Sequence, residues 1–183
     1  PFFDTSNESR VESARKSLEQ LLPRWSARSG PAALVARSLR GRMPYICVDE
    51  GLEPLARRWK TQLDENAKQL AQFDTVPELF HNSLVGWDAL SASEARKRAA
   101  VLLEWELQPE STAARFRYLT RLLKKRGVAL SNVWLRGEDR LLAIVEGVAF
   151  GDQVSLFLAE AKRVDPYPVD AITRMKAALS RPG

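Results

Sequence analysis

Residues 43–73, MPYICVDEGLEPLARRWKTQLDENAKQLAQF, decide the fold. The first six, Met43 to Val48, form a short uncharged run rich in strand formers, which reads as a buried strand. Asp49-Glu50-Gly51 is a turn. From Leu52 the period changes. Leu52, Leu55, Ala56, Trp59 and Leu63 recur every three or four residues, which predicts a helix from Leu52 to Phe73 with these side chains facing inward. A buried strand that turns directly into a long amphipathic helix opens a parallel-sheet unit, because parallel neighbours need a crossover between them.

The same alternation continues on both sides. Upstream, residues 1–10 are polar and read as a tail or linker. Val11, Ala14, Leu18, Leu21 and Leu22 share one face of a helix from Glu8 to Leu22, which Pro23 is expected to end. Ser29-Gly30-Pro31 starts a short apolar helix, Ala32–Leu39, that stops near Gly41. Downstream, residues 74–90 look like a loop, and Ala89–Lys97 fits either a loop or a short helix. Ala99–Trp105 is a second buried strand. A helix capped by Ser111 or Thr112 runs to Arg126. Its last turn carries Lys124, Lys125 and Arg126, which suit the negative end of the helix dipole, and Gly127 sits at the cap position. Val128–Leu135 is a third strand. Arg140–Lys162 is a long, mostly apolar helix interrupted by Gly147 and Gly151. Asp165-Pro166-Tyr167-Pro168 breaks the chain before a final amphipathic helix, Val169–Leu179. The expected fold is α/β: a three-layer αβα sandwich with a small parallel sheet and right-handed crossovers. Residues 1–29 are expected to be a linker and helix, and residues 30–183 the folded unit.

Composition narrows the function. Cys47 is the one cysteine and His81 the one histidine, so neither a disulfide framework nor a zinc site built on cysteines or paired histidines is available. No apolar run approaches the ~20 residues of a membrane-spanning helix, and no secretory leader is expected. A cytoplasmic protein without membrane attachment is expected. The chain opens Pro1-Phe2-Phe3 without an initiator Met, which reads as a piece of something larger. Net charge is +5. The basic clusters Arg57-Arg58, Arg96-Lys97-Arg98 and Lys124-Lys125-Arg126 are each diluted by neighbours. They read as solvated helix surface, with no basic stripe for nucleic acid. A modest positive field also suits an anionic small molecule.

The long helix carries the densest polar set, including Arg58, Lys60, Gln62, Asp64, Glu65, Asn66 and Lys68. Glu65 lies between Gln62 and Lys68 on one stripe. A carboxylate held there could transfer protons. A solvated face stabilised by charge pairs gives the same pattern. His81 has two readings as well, a hydrogen-bonder of surface or core, or an acid–base group. Trp59, Trp87, Trp105, Trp134 and Cys47 read as packing residues. No glycine-rich phosphate loop is present.

Taken together, these segments resemble one family. Gly41-Arg42-Met43-Pro44-Tyr45-Ile46, then Ala56 to Lys68 (ARRWKTQLDENAK), then Pro77-Glu78-Leu79-Phe80-His81-Asn82 and Val85-Gly86-Trp87 follow in order. Arg126-Gly127-Val128, Val133-Trp134, Gly151-Asp152-Gln153-Val154-Ser155 and Asp165-Pro166-Tyr167-Pro168-Val169 through Ile172 and Lys176 continue the series. The set is similar to the C-terminal half of the bifunctional phosphoglucose/phosphomannose isomerases of the sugar isomerase (SIS) superfamily. Each motif is weak alone; the ordered set, over about residues 30–180, is specific.

The resemblance implies a cofactor-free and metal-free aldose–ketose isomerase. It would interconvert glucose 6-phosphate or mannose 6-phosphate with fructose 6-phosphate through a cis-enediol, in carbohydrate metabolism. Matched by motif, Glu65 would be the base that moves the proton between C2 and C1. His81 would assist ring opening, and Lys176 would serve ring opening or the developing oxyanion. Gln62, Arg58 and Asn82 would be substrate contacts. The family's histidine crosses a dimer interface, so a homodimer is implied. Its phosphate-binding loops and an arginine lie in an N-terminal SIS subdomain upstream of residue 1, so this stretch alone is expected to be inactive. Three positions depart from the pattern. Asp64 replaces Asn beside the base, Ser83 replaces the Glu after His-Asn, and Tyr167 replaces Thr. Those departures keep open an alternative, a non-catalytic SIS-like module that binds sugar phosphate or only dimerises.

Overall fold

The computed structural model describes residues 5–180, with side-chain surroundings from residue 8. Eight helices and four strands follow in the order α1 (Thr5–Trp25), α2 (Pro31–Leu39), β1 (Met43–Asp49), α3 (Glu53–Asn66), β2 (Gln72–Val76), α4 (Ser83–Asp88), α5 (Ala92–Arg96), β3 (Arg98–Trp105), α6 (Glu110–Arg126), β4 (Ala129–Leu135), α7 (Arg140–Lys162) and α8 (Asp170–Leu179), counted among the described residues. Single 3-10 turns precede α3 and α4. The strands form one all-parallel sheet in the order β2-β1-β3-β4.

Alternation along the strands builds two cores. Ile46, Val48, Val101, Leu103 and Val133 point to one face, where α2 and α3 cover them. Cys47, Ala100 and Leu102 point to the other, under Phe116, Leu119 and Leu123 of α6 and Trp87 of α4. The architecture is therefore the expected αβα sandwich, with one addition. Helix α7 lies across α2 and α3 as a further layer, and α1 packs on α7.

The two glycines of α7 explain how it sits so close. A Cβ on Gly147 would lie 2.5 Å from Leu55 Cδ2, and one on Gly151 would lie 2.5 Å from Trp59 Nε1. The indole N–H of Trp59 donates to the Gly147 carbonyl at 2.8 Å, so the contact is bonded as well as packed. Among the described residues, α7 is the one helix long and apolar enough to cross a membrane. Half of its apolar window is buried inside this chain, where α1, α2 and α3 use its apolar surface.

Several boundaries differ from the sequence reading: α4 lies in the stretch read as a loop, and α6 starts at Glu110 after Pro109 rather than from a Ser111 or Thr112 cap. Residues 5–10 are helical rather than a tail, and α1 continues past Pro23 to Trp25; residues 1–4 lie outside the described residues. Proline inside a helix forgoes one backbone bond. Burial of Trp25 against Phe150, edge to face at 5.2 Å, offsets that loss. The helix expected over Leu52–Phe73 ends at Asn66. Lys68 takes the left-handed conformation, φ 50°, and the next amide, Gln69 N–H, bonds back to the Leu63 carbonyl. The chain then enters β2, an edge strand absent from the three-strand expectation. Between β2 and β3, Ser91 and Glu94 form a reciprocal capping box, which makes 92–96 helical.

Candidate active site

Helix α3 starts at the carboxyl end of β1 and runs back along the sheet, so Glu65, in its last turn, stands at the amino end of the strands. Four side chains fix that turn through six hydrogen bonds. Asn66 Nδ2 donates to Ser155 Oγ of α7 at 2.9 Å. Lys162 Nζ, also from α7, donates to the Lys68 carbonyl at 3.0 Å. Lys68 Nζ donates to the carbonyls of Glu65 at 2.6 Å and Pro166 at 3.3 Å, tying helix end to the loop before α8. Gln69 Nε2 donates to the carbonyls of Leu39 and Arg42 at 3.0 and 2.8 Å. Burial pulls the ammonium of Lys162 below its ordinary range.

The Glu65 carboxylate is exposed and borders an open depression of about 540 Å³. Its other walls include Asp64, Lys68, Asp165, Val169, Asp170 and Ile172. A carboxylate beside apolar side chains, on a backbone held this firmly, can act as a proton acceptor once a ligand excludes water.

Asp64, the second carboxylate of the pair, also lines the depression but is bonded into the turn. It receives Lys60 Nζ at 2.5 Å and the Ala71 N–H at 2.9 Å, so it closes the turn that leads into β2. Gln62 and Arg58 lie one and two turns earlier and meet Asp152 of α7. The Gln62 amide donates to Asp152 Oδ1, and the Arg58 guanidinium is 3.6 Å from the same oxygen. The Ser155 hydroxyl donates to the Asp152 carbonyl at 2.8 Å. The Gly151–Ser155 segment is thus an anchoring strip for α3. Sequence reading found the segment without its use, because its partners are about 90 residues away.

His81 is exposed and lies beyond the carboxyl end of β2, after Val76, which pairs with Asp49 at the end of β1. Its neighbour Leu79 packs in the α6-side core, whereas Leu63 packs in the α3-side core. Glu65 and His81 therefore occupy opposite ends and opposite faces of a sheet whose five-residue β2 alone spans about 17 Å. Asn82 stays with His81. Its carboxamide donates to Glu78 at 2.7 Å and accepts the Ser83 N–H, capping α4. Lys176 lies one turn along α8 from Ile172 and is exposed, as is all of α8. Tyr167 is 88% exposed, and its N–H bonds to Asp165 at 3.0 Å. The structure thus brings together Glu65, Lys68 and the start of α8, and leaves His81 and Asn82 elsewhere. Among the described residues, no group of three or more His, Cys, Asp or Glu side chains is arranged to hold a metal.

Known proteins share this sequence and fold. The sequence profile of the bacterial phospho-glucose isomerase C-terminal SIS domain matches residues 28–179. The bifunctional phosphoglucose/phosphomannose isomerase of Aquifex aeolicus is 29% identical over 176 residues, 96% of this chain and 53% of its own length. The protein of the same name from Thermoplasma acidophilum is 31% identical over 140 residues, 76% of this chain and 43% of its own. The chain spans about half the length of the curated relatives it matches. A glucose-6-phosphate isomerase-like protein from Thermus thermophilus superposes with a TM-score of 0.71 at 24% identity, over 88% of this chain and 55% of that one. With the profile spanning most of its length, the chain belongs to the family of bacterial phosphoglucose isomerase C-terminal SIS domains.

Proposed function

We propose that this chain is the C-terminal half of a cytoplasmic, dimeric hexose 6-phosphate isomerase, in which residues 30–183 form the second SIS subdomain and residues 1–29 a linker and helix. The observation that carries the reading is the placement of Glu65, on the most firmly tied end of α3, in a depression that the start of α8 walls. Its chemistry follows from acidity next to a carbonyl. In the open-chain aldose phosphate, Glu65 takes the C2 proton. The C2–H electron pair becomes the C1–C2 double bond, and the C1 carbonyl oxygen becomes the oxyanion of a cis-enediolate. The O2 proton passes to O1, and Glu65 returns its own proton to C1 on the same face. A C2 carbonyl remains, which gives fructose 6-phosphate. Lys176, on the helix that borders the depression, is suited to the developing negative charge. No metal or organic cofactor enters this scheme. The family half that this chain does not span would supply the phosphate grip.

His81 completes the scheme only from a second copy of the chain. A hexose phosphate is much shorter than the sheet that separates Glu65 from His81 within one copy. Gln62 and Arg58 enter as supports of α3 through Asp152, and Asn82 as the cap that presents His81. Asp64 also borders the depression, but both its carboxylate oxygens accept hydrogen bonds, from Lys60 and from the Ala71 N–H, so Glu65 rather than Asp64 is assigned the proton transfer.

The test is fructose 6-phosphate formation from glucose and mannose 6-phosphates by the polypeptide that carries both halves. Glu65→Gln should lower kcat by about 10²–10⁴-fold, the usual worth of a positioned base. His81→Ala should be impaired as well. Dimers re-formed from equal amounts of the two variants should recover about a quarter of wild-type activity, since half the dimers hold one intact site. Unchanged activity in Glu65→Gln would remove the base assignment. Failure of the mixture to exceed its parents would remove the shared site.

A further inference from the structure

Across the last turns of α7 from the Glu65 depression lies a second groove, about 560 Å³, between α7 and α2. That volume is in the range of small-molecule sites. The two cavities have no lining residue in common. We propose that this groove binds a small organic phosphate with a flat, apolar body.

Charge is the first observation. Arg37, in the last turn of α2, and Arg40, the residue that follows the helix, both line the groove, and neither has a carboxylate partner among the described residues. Guanidinium groups that line one groove can grip one phosphate or two adjacent ones in bidentate fashion. Arg28 adds a third cation but is paired with Glu160 of α7 at 2.7 Å, and it lends its backbone carbonyl to Arg37 Nη1 at 3.4 Å. One cation near the end of α2 suits the helix dipole. The groove has an excess beyond that, three arginines against one glutamate.

The floor is the second observation. Ala33 and Ala36 are almost fully buried beneath the groove, and Phe157 packs at its side. Apart from the arginines and Glu160, no polar side chain among the described residues lines it. The hydroxyls of a hexose would find few partners there, whereas a ring could lie on alanine and phenylalanine carbons and stack on a guanidinium. The groove therefore selects against the sugar phosphate proposed for the Glu65 depression.

Calorimetric titration of the protein at low salt with ADP, inorganic phosphate, adenosine and glucose 6-phosphate tests this. ADP should bind with one-to-one stoichiometry and more tightly than the other three. The Arg37→Ala/Arg40→Ala variant, which removes two exposed side chains, should weaken ADP binding by at least about tenfold, the worth of a lost charged hydrogen bond. Arg96→Ala, on α5, should leave it unchanged. Glu160→Gln should tighten it by releasing Arg28. No binding of ADP would overturn the proposal, including the case in which a protein segment covers the groove. So would equal binding by the double variant. Equal affinity for phosphate or for glucose 6-phosphate would overturn the apolar part of the ligand.

Discussion

Helix α7 buries nine residues along its length, whereas α8, which follows it after a short break, buries none. Both carry apolar side chains at helical spacing. The difference is what each one meets. Gly147 and Gly151 open a seat in α7 that Leu55 and Trp59 fill to contact distance, and the Trp59 N–H adds a bond. Val169, just before α8, and Ile172 and Met175 within it remain 40%, 39% and 47% exposed. Spacing shows that a helix has an apolar face; only complementary small residues on a partner show where the face goes. The candidate site lies on the boundary between these regimes, with Glu65 on the α7-anchored side and Ile172 on the other.

The strongest way to break that contrast is to fill the seat. Gly151→Ala places a methyl group where Trp59 already is, and the indole cannot retreat without losing its bond to Gly147. Overpacking of this kind should cost about 1–3 kcal/mol. Urea unfolding would show it as a fall in midpoint at constant slope. A cost near zero would mean that α7 shifts freely on α3, and the firmness claimed for Glu65 would go with it.

A smaller effect, about 1–2 kcal/mol, is expected for Asp64→Ala, which leaves the Ala71 N–H and the half-buried Lys60 ammonium without their acceptor. It separates two roles for the acidic pair. Loss of stability with retained isomerase kcat in the polypeptide that carries both halves would make Asp64 a turn residue. Loss of kcat with unchanged stability would give it a part in the proton transfer.

That turn is also where the sequence was least readable. Ala67 to Ala71 contains no glycine or proline, and the helical period runs on through Leu70, so nothing local announces a stop. The stop is tertiary. Gln69 bonds to the carbonyls of Leu39 and Arg42, and Asp64 bonds back to Ala71, which lets Lys68 adopt a left-handed backbone without glycine. Strands β1 and β3 were legible because each has local bounds and a run of buried residues, and β4 because Val133-Trp134-Leu135 is rich in strand formers, whereas β2 is a short edge strand whose first four positions are not buried. The sites divide in the same way. Motif order singled out Glu65, His81 and Lys176. Which of them meet depends on the direction of α3 against the sheet and on Lys68 reaching Pro166, contacts that spacing along the chain does not encode. Gln62 shows the reverse error of emphasis, since a polar residue on the active stripe is bonded to Asp152 90 positions later.

The smallest effect should come from α8, and it sharpens the contrast from the other side. Met175→Gln keeps side-chain length and helix propensity while removing an apolar contact surface. With Met175 half exposed and α8 holding no buried residue, the stability of this chain should change by less than about 0.5 kcal/mol. Lys176 is the next residue, and Ile172, on the same stripe, borders the Glu65 depression, so a helix that tilts would carry the lysine with it. In the polypeptide that carries both halves, the same substitution should lower isomerase kcat while leaving the urea midpoint of this isolated stretch where it was. A cost above about 1 kcal/mol in the isolated stretch would mean that α8 packs on α3 as α7 does. Unchanged stability together with unchanged kcat would mean that the stripe has no part in placing Lys176, and the lysine would then have to reach the oxyanion from a helix that nothing holds.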